Sequence, residues 1–109
     1  MEDCIQVSTT SQNKQDAEKI ATALLQKRLA ACVQIVGPIS SAYWWKGSIE
    51  TAQEWLCLSK TVRRLYSDLE KAIQAIHPYE TREIVALPIV AGSEEYLGWL
   101  ARELTHVKG

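Results

Sequence analysis

Residues 42–55 read AYWWKGSIETAQEW, and they hold three of the chain's four tryptophans and one of its four tyrosines. Lys46-Gly47-Ser48 at the centre offers a two-residue Gly-Ser turn, which suits strand twist when glycine comes first. Beyond it, Ile49 to Thr61 contains no proline or glycine and reads as one uninterrupted strand. At about 3.3 Å per residue such a strand runs roughly 40 Å, about twice the usual length. A lone two-stranded ribbon is marginal in water, so this one requires burial against something larger. Another copy of the chain is the expected cover.

Working outward, Cys4 to Ser8 alternates as a short strand, and Thr9 to Asn13 reads as a polar turn. Ala17, Ile20, Ala21, Leu24, Leu25 and Leu29 then form the apolar stripe of a helix from Lys14 to Ala30. Cys32 to Val36 is a strand, bent at Gly37-Pro38 and resumed at Ile39 as the first arm of the ribbon. Past the ribbon, Val62 to Ile76 is a helix stopped by Pro78. Thr81 to Val90 is a strand whose Pro88 points to a sheet edge. Ser93 caps a last helix, Glu94 to Leu104. The order βαββαβ plus a terminal helix is the ferredoxin-like α+β arrangement, one domain over residues 1–109 with two helices on one face of an antiparallel sheet.

Bulk properties remove several functions. The 109 residues are 47% hydrophobic and 23% charged, an ordinary globular composition. Twelve basic and thirteen acidic residues are scattered without a cationic block, so no nucleic-acid partner is expected. Apolar runs fall short of a membrane span, and no membrane partner is expected. Met1-Glu2-Asp3 shows neither the basic start nor the apolar stretch of a signal peptide, and the cytoplasm is the expected compartment. Cys4, Cys32 and Cys57 are odd in number and widely spaced, as buried thiols of a reducing compartment would be. There is no Gly-rich phosphate cradle, nucleophile elbow or base–nucleophile pair, so an enzyme is not expected.

Two segments carry possible chemistry. With Gly47-Ser48 as the loop, Trp45 faces Glu50, Trp44 faces Thr51 and Tyr43 faces Ala52. Tyr43 and Trp45 then share a face with Glu50, Glu54, Leu56, Leu58 and Lys60, while Trp44 goes with Thr51, Gln53, Trp55, Cys57 and Ser59. A ligand cleft would use Tyr43, Trp45, Glu54 and Lys60, with Tyr79 from the later loop as a further candidate. Subunit packing accounts for the same aromatics without a ligand. The second segment is His77-Pro78-Tyr79-Glu80-Thr81-Arg82-Glu83, an imidazole at a helix end with carboxylates nearby. An imidazole with a carboxylate can hold copper or zinc, although tight sites use three or four ligands.

LAACV (29–33), SAYWWKGSIE (41–50), Glu54, Lys60-Thr61, HPYETREI (77–84), ALPIVAG (86–92) and YLGWL (96–100) in this order resemble the CutA divalent-cation-tolerance family along essentially the whole chain. The resemblance implies a ferredoxin-like subunit in a PII-like homotrimer, with the long hairpin at the seams. It implies tolerance to copper and other divalent cations as the function, with such cations as partners and no established reaction. A PII-like sensor with intersubunit clefts, or a protein-docking scaffold, is the alternative. His77 and Glu83 match the family's metal pattern. Ser8 stands where some bacterial members have cysteine, Ile76 where some have a second histidine, and Arg82 where proline is common. A copper or zinc ion would accordingly be held weakly.

Overall fold

The computed structural model describes residues 2–77 and 83–104. Four strands, β1 (Cys4–Ser11), β2 (Cys32–Trp45), β3 (Ser48–Val62) and β4 (Val85–Pro88), form one antiparallel sheet in the order β2-β3-β1-β4. Three helices complete it: α1 (Lys14–Gln26), α2 (Tyr66–Ile76) and α3 (Glu94–Glu103). The long dimension of 44 Å, against 27 and 21 Å for the others, follows the β2–β3 ribbon.

Strand alternation divides the sheet cleanly. Ile5, Val7 and Cys57 point to the face beneath α1 and α2, where they pack with Ala17, Ile20, Leu24, Leu69 and Ile73. The residues between them on β1 and β3 point the other way. There Cys4 and Val62 pack with Leu65 and with Leu100 and Leu104 of α3. The remainder of this second face includes Val36, Leu56 and Leu58, and Val36 is exposed. β4 is an edge strand, as Pro88 required.

The ribbon is present and slightly longer than its sequence indicated, but its turn differs. Trp45 pairs with Ser48, Trp44 with Ile49 and Tyr43 with Glu50, so Lys46 and Gly47 form the loop. Both have positive φ, 49° and 84°, the geometry of a type I′ turn rather than a Gly-first turn. The register moves by two positions, and an even shift leaves every side chain on its expected face. A bulge between Val36 and Ile39 carries the cis Gly37-Pro38 bond within an otherwise continuous β2.

Other boundaries are corrected. β4 spans only Val85–Pro88 of the expected Thr81–Val90, whose residues 81 and 82 lie outside the described ones. β1 continues through Thr9, Thr10 and Ser11, because these polar residues complete the ladder with Cys57, Leu56 and Trp55 of β3. α1 stops at Gln26, before Ala30: Arg28 takes φ 53°, and the Leu29 and Arg28 amides turn back to the Leu24 and Leu25 carbonyls in a Schellman closure. Arg63–Leu65 form a single 3₁₀ turn, so α2 begins at Tyr66 rather than Val62. Asn13 and Ser93 cap α1 and α3 through the Asp16 and Tyr96 amides.

Candidate functional site

The four described cleft candidates share a face without converging. Tyr43 lies opposite Glu50 near the ribbon tip, half-exposed beside Trp45, whose ring carries Lys46 Nζ 5.5 Å from its centroid. Glu54 is four positions further along β3 and only 8% exposed. Lys60 lies six positions beyond Glu54. That separation is roughly 20 Å of extended chain, too far for an ion pair within one subunit. Lys60 Nζ instead donates to Gln34 Oε1 on the neighbouring strand. Tyr79 lies outside the described residues.

His77 ends α2, with its amide bonded to the Ile73 carbonyl, 2.8 Å away. Its ring is 4% exposed, and Nε2 sits 2.5 Å from the Thr10 carbonyl oxygen on β1. A carbonyl only accepts, so Nε2 is the donor in this contact. Glu83 is exposed, just ahead of β4, whose register sets Val85 against Ser8 and runs toward Thr10. One imidazole and one carboxylate would in any case fall short of a closed site, which uses three or four ligands. Among the described residues no group of three or more His, Cys, Asp or Glu side chains is gathered as a metal centre. Residues 78–82, Glu80 among them, lie outside that description.

The structure also places polar groups that residue patterns did not reveal. Thr9, Ser11, Ser59 and Thr61 bury their hydroxyl oxygens under the helices, with no hydrogen-bond partner among the described residues. All four alternate with residues of the opposite face, which is the one signal the sequence offered. Cys57, in the same layer, donates its thiol to the Ala17 carbonyl at 3.5 Å. Burial pushes this thiol up from 9.0 to about 11.

That shift has a definite alkaline consequence. Between pH 9 and 11 the unfolded chain releases the Cys57 proton while the folded chain keeps it, so stability falls as pH rises. Burial also raises the Cys4, Tyr66 and Tyr96 groups, adding loss of the same sign. Urea midpoints measured from pH 8 to 11 are expected to decline, with a shallower decline in Cys57→Ala. An equal slope in both proteins would show that Cys57 is not buried as a thiol.

The fold and its projecting ribbon define a ferredoxin-like α+β protein with a long β2–β3 hairpin. Among the described residues no helix is long and apolar enough to cross a membrane. The chain belongs to the CutA1 divalent ion tolerance protein family, whose profile matches residues 5–103. It is 44% identical over 100 residues to the divalent-cation tolerance protein CutA of Thermus thermophilus, covering 92% of this chain and 95% of that one. It is 43% identical over 96 residues to human protein CutA, covering 88% of this chain and 53% of the relative. Among solved structures, CutA1 from Oryza sativa superposes with a TM-score of 0.93 at 37% identity, covering 97% of each chain. The periplasmic divalent cation tolerance protein CutA from Archaeoglobus fulgidus superposes with a TM-score of 0.89 at 38% identity, covering 93% of this chain and 98% of that one. None of these four names is an enzyme's. An Arabidopsis thaliana relative 41% identical over 96 residues, covering 88% of this chain and 53% of its own, is called chloroplastic. With the periplasmic protein, it shows that the family's members occupy different compartments.

Proposed function

We propose that the protein is a homotrimeric divalent-cation tolerance protein that binds copper or zinc weakly through His77 and Glu83. The observation that carries the assembly is the second sheet face together with the free edge of β2. β2 is 14 residues long and, among the described residues, pairs on one side only, with β3. An unpaired edge of that length invites another chain. Trp44 and Ile49 at the ribbon tip, 72% and 63% exposed, are apolar surface of the kind that association removes from water. Three free cysteines support a reducing compartment, the cytoplasm.

Native mass spectrometry of protein purified without chelator tests both halves of the proposal. Three subunits are expected, with partial metal retention, and a monomer at working concentration would overturn the assembly. Calorimetric titration with copper and zinc is expected to show binding that both Glu83→Gln and His77→Ala weaken. Glu83 is exposed, so its substitution leaves the fold intact and separates ligation from stability. Unchanged affinity in both variants would remove these residues from the site.

A second reading rests on Glu54, a carboxylate buried on a largely exposed ribbon. A PII-like sensor would bring Tyr43, Trp45, Glu54, Lys60 and Tyr79 together across subunits, because one subunit keeps Glu54 and Lys60 apart. Tryptophan emission should then respond to a nucleotide or metabolite library at millimolar concentration. A silent library would remove this reading and leave a docking scaffold in its place.

A further inference from the structure

β3 is not supported evenly along its length. It pairs with β1 only as far as Trp55, whose partner there is Ser11, the last residue of β1. From Glu54 to Ser48 it pairs, among the described residues, with β2 alone. This free ribbon is roughly 20 Å long at about 3.3 Å per residue. Trp44 and Ile49 at its tip are exposed rather than packed on the body. The direction of the ribbon is accordingly set at its base.

Trp55 stands at that base. The bulge of β2 falls at the same level, because Val36 pairs with Leu56 and Ile39 with Glu54. Alternation turns the indole to the helix side of the sheet, where it packs against the main core. Gly37 in the bulge lies so close to the ring that a methyl group there would overlap it. Lys14, the first residue of α1, holds its ammonium 5.8 Å from the ring centroid, within cation–π range. One rigid side chain thus touches the bulge, the start of α1 and the core at the point where support from β1 ends.

We propose, resting on the homotrimeric reading above, that Trp55 is the positioning residue that fixes the direction in which the ribbon leaves the body and presents it to the partner subunit. A tilt of about 10° at the base moves a tip roughly 20 Å away by about 3–4 Å, the rise of one strand residue. A step of that size exchanges the faces that a pairing strand offers. A ribbon already held in its bound direction also loses no orientational freedom on association, whereas a swinging one does. Trp55 acts here through the ribbon and needs no contact of its own with the partner.

Association rates distinguish this role from plain stabilisation. Most changes at an interface alter dissociation, whereas a misdirected ribbon lowers the rate at which folded subunits meet productively. The full chain is diluted from dissociating urea, and the concentration-dependent phase, checked by native mass spectrometry, reads association separately from subunit folding. Trp55→Leu should slow that phase about tenfold or more. Trp55→Phe, which keeps a planar ring, should restore most of the rate. Lys14 is exposed, so Lys14→Met keeps the fold and should slow association by a smaller factor. A Trp55→Leu protein that associates at the wild-type rate, or whose trimer is weakened through faster dissociation alone, would overturn the role given to Trp55. Where Trp55→Leu does not fold, an unchanged association rate in Lys14→Met has the same force. A wild-type chain with no concentration-dependent phase would overturn the homotrimer itself, which is a different result.

Discussion

Gly37→Ala is expected to lower stability by about 2–3 kcal/mol, through one side chain. A Cβ at Gly37 would stand 2.4 Å from Trp55 Cε3, 2.6 Å from Cδ2 and 3.1 Å from Cγ. The close atoms include the root of the indole, so the ring cannot escape by a small tilt and must leave its position. Trp55 flanks the main core from the end of β1, opposite Ser11, and Lys14 Nζ lies 5.8 Å from its ring centroid. Displacing the ring therefore loosens the start of α1 and the bulge of β2 together. The urea midpoint should fall, with a red shift in tryptophan emission as the half-buried ring meets water. Trp55→Leu is the matching control. In a double-mutant cycle most of the Gly37→Ala cost should vanish once the indole is absent. A cost that persisted in the double variant would mean that the alanine acts on the backbone rather than on the ring.

Gly37 also shows what a sequence reveals about this fold. Pro38 marked a bend, but only the folded sheet puts an indole against the residue before it. The ribbon was readable because a long stretch free of glycine and proline flanked a turn, and because alternation assigns faces whatever the local pairing. Its turn was not, since Lys46-Gly47 and Gly47-Ser48 both close a two-residue loop, and the choice rests on lysine adopting positive φ. Thr9, Thr10 and Ser11 looked like a turn by composition, yet β3 recruited them as strand because it is long enough to pair with all three. The site was less legible still. Glu54 and Lys60 were assigned correctly to one face, but a shared face does not make two groups neighbours on a strand this long. His77 was recognisable as a helix end. The burial of its Nε2 against Thr10 depends on a contact 67 residues away in sequence, which local pattern does not carry.

The buried hydroxyls turn the same β1–β3 pairing into a gain. Thr9→Val combined with Thr61→Val is expected to stabilise the protein by about 2–4 kcal/mol, since each unsatisfied buried hydroxyl costs about 1–3 kcal/mol. Both oxygens are sequestered under the helices with no acceptor or donor among the described residues. Valine replaces each hydroxyl by a methyl of nearly the same shape, and its strand preference is at least as strong. Thr9 lies opposite Cys57, and Thr61 is four positions further along that strand. This is roughly 13 Å, beyond the range at which neighbouring substitutions couple, so the two increments should add. Thr51→Val, at an exposed position near the ribbon tip, should change the urea midpoint little. If the double variant instead lost stability while Thr51→Val did not, the hydroxyls must be bound to ordered water inside the layer. The slab between sheet and helices would then be a hydrated core, and the polar residues of β1 and β3 would be its ligands.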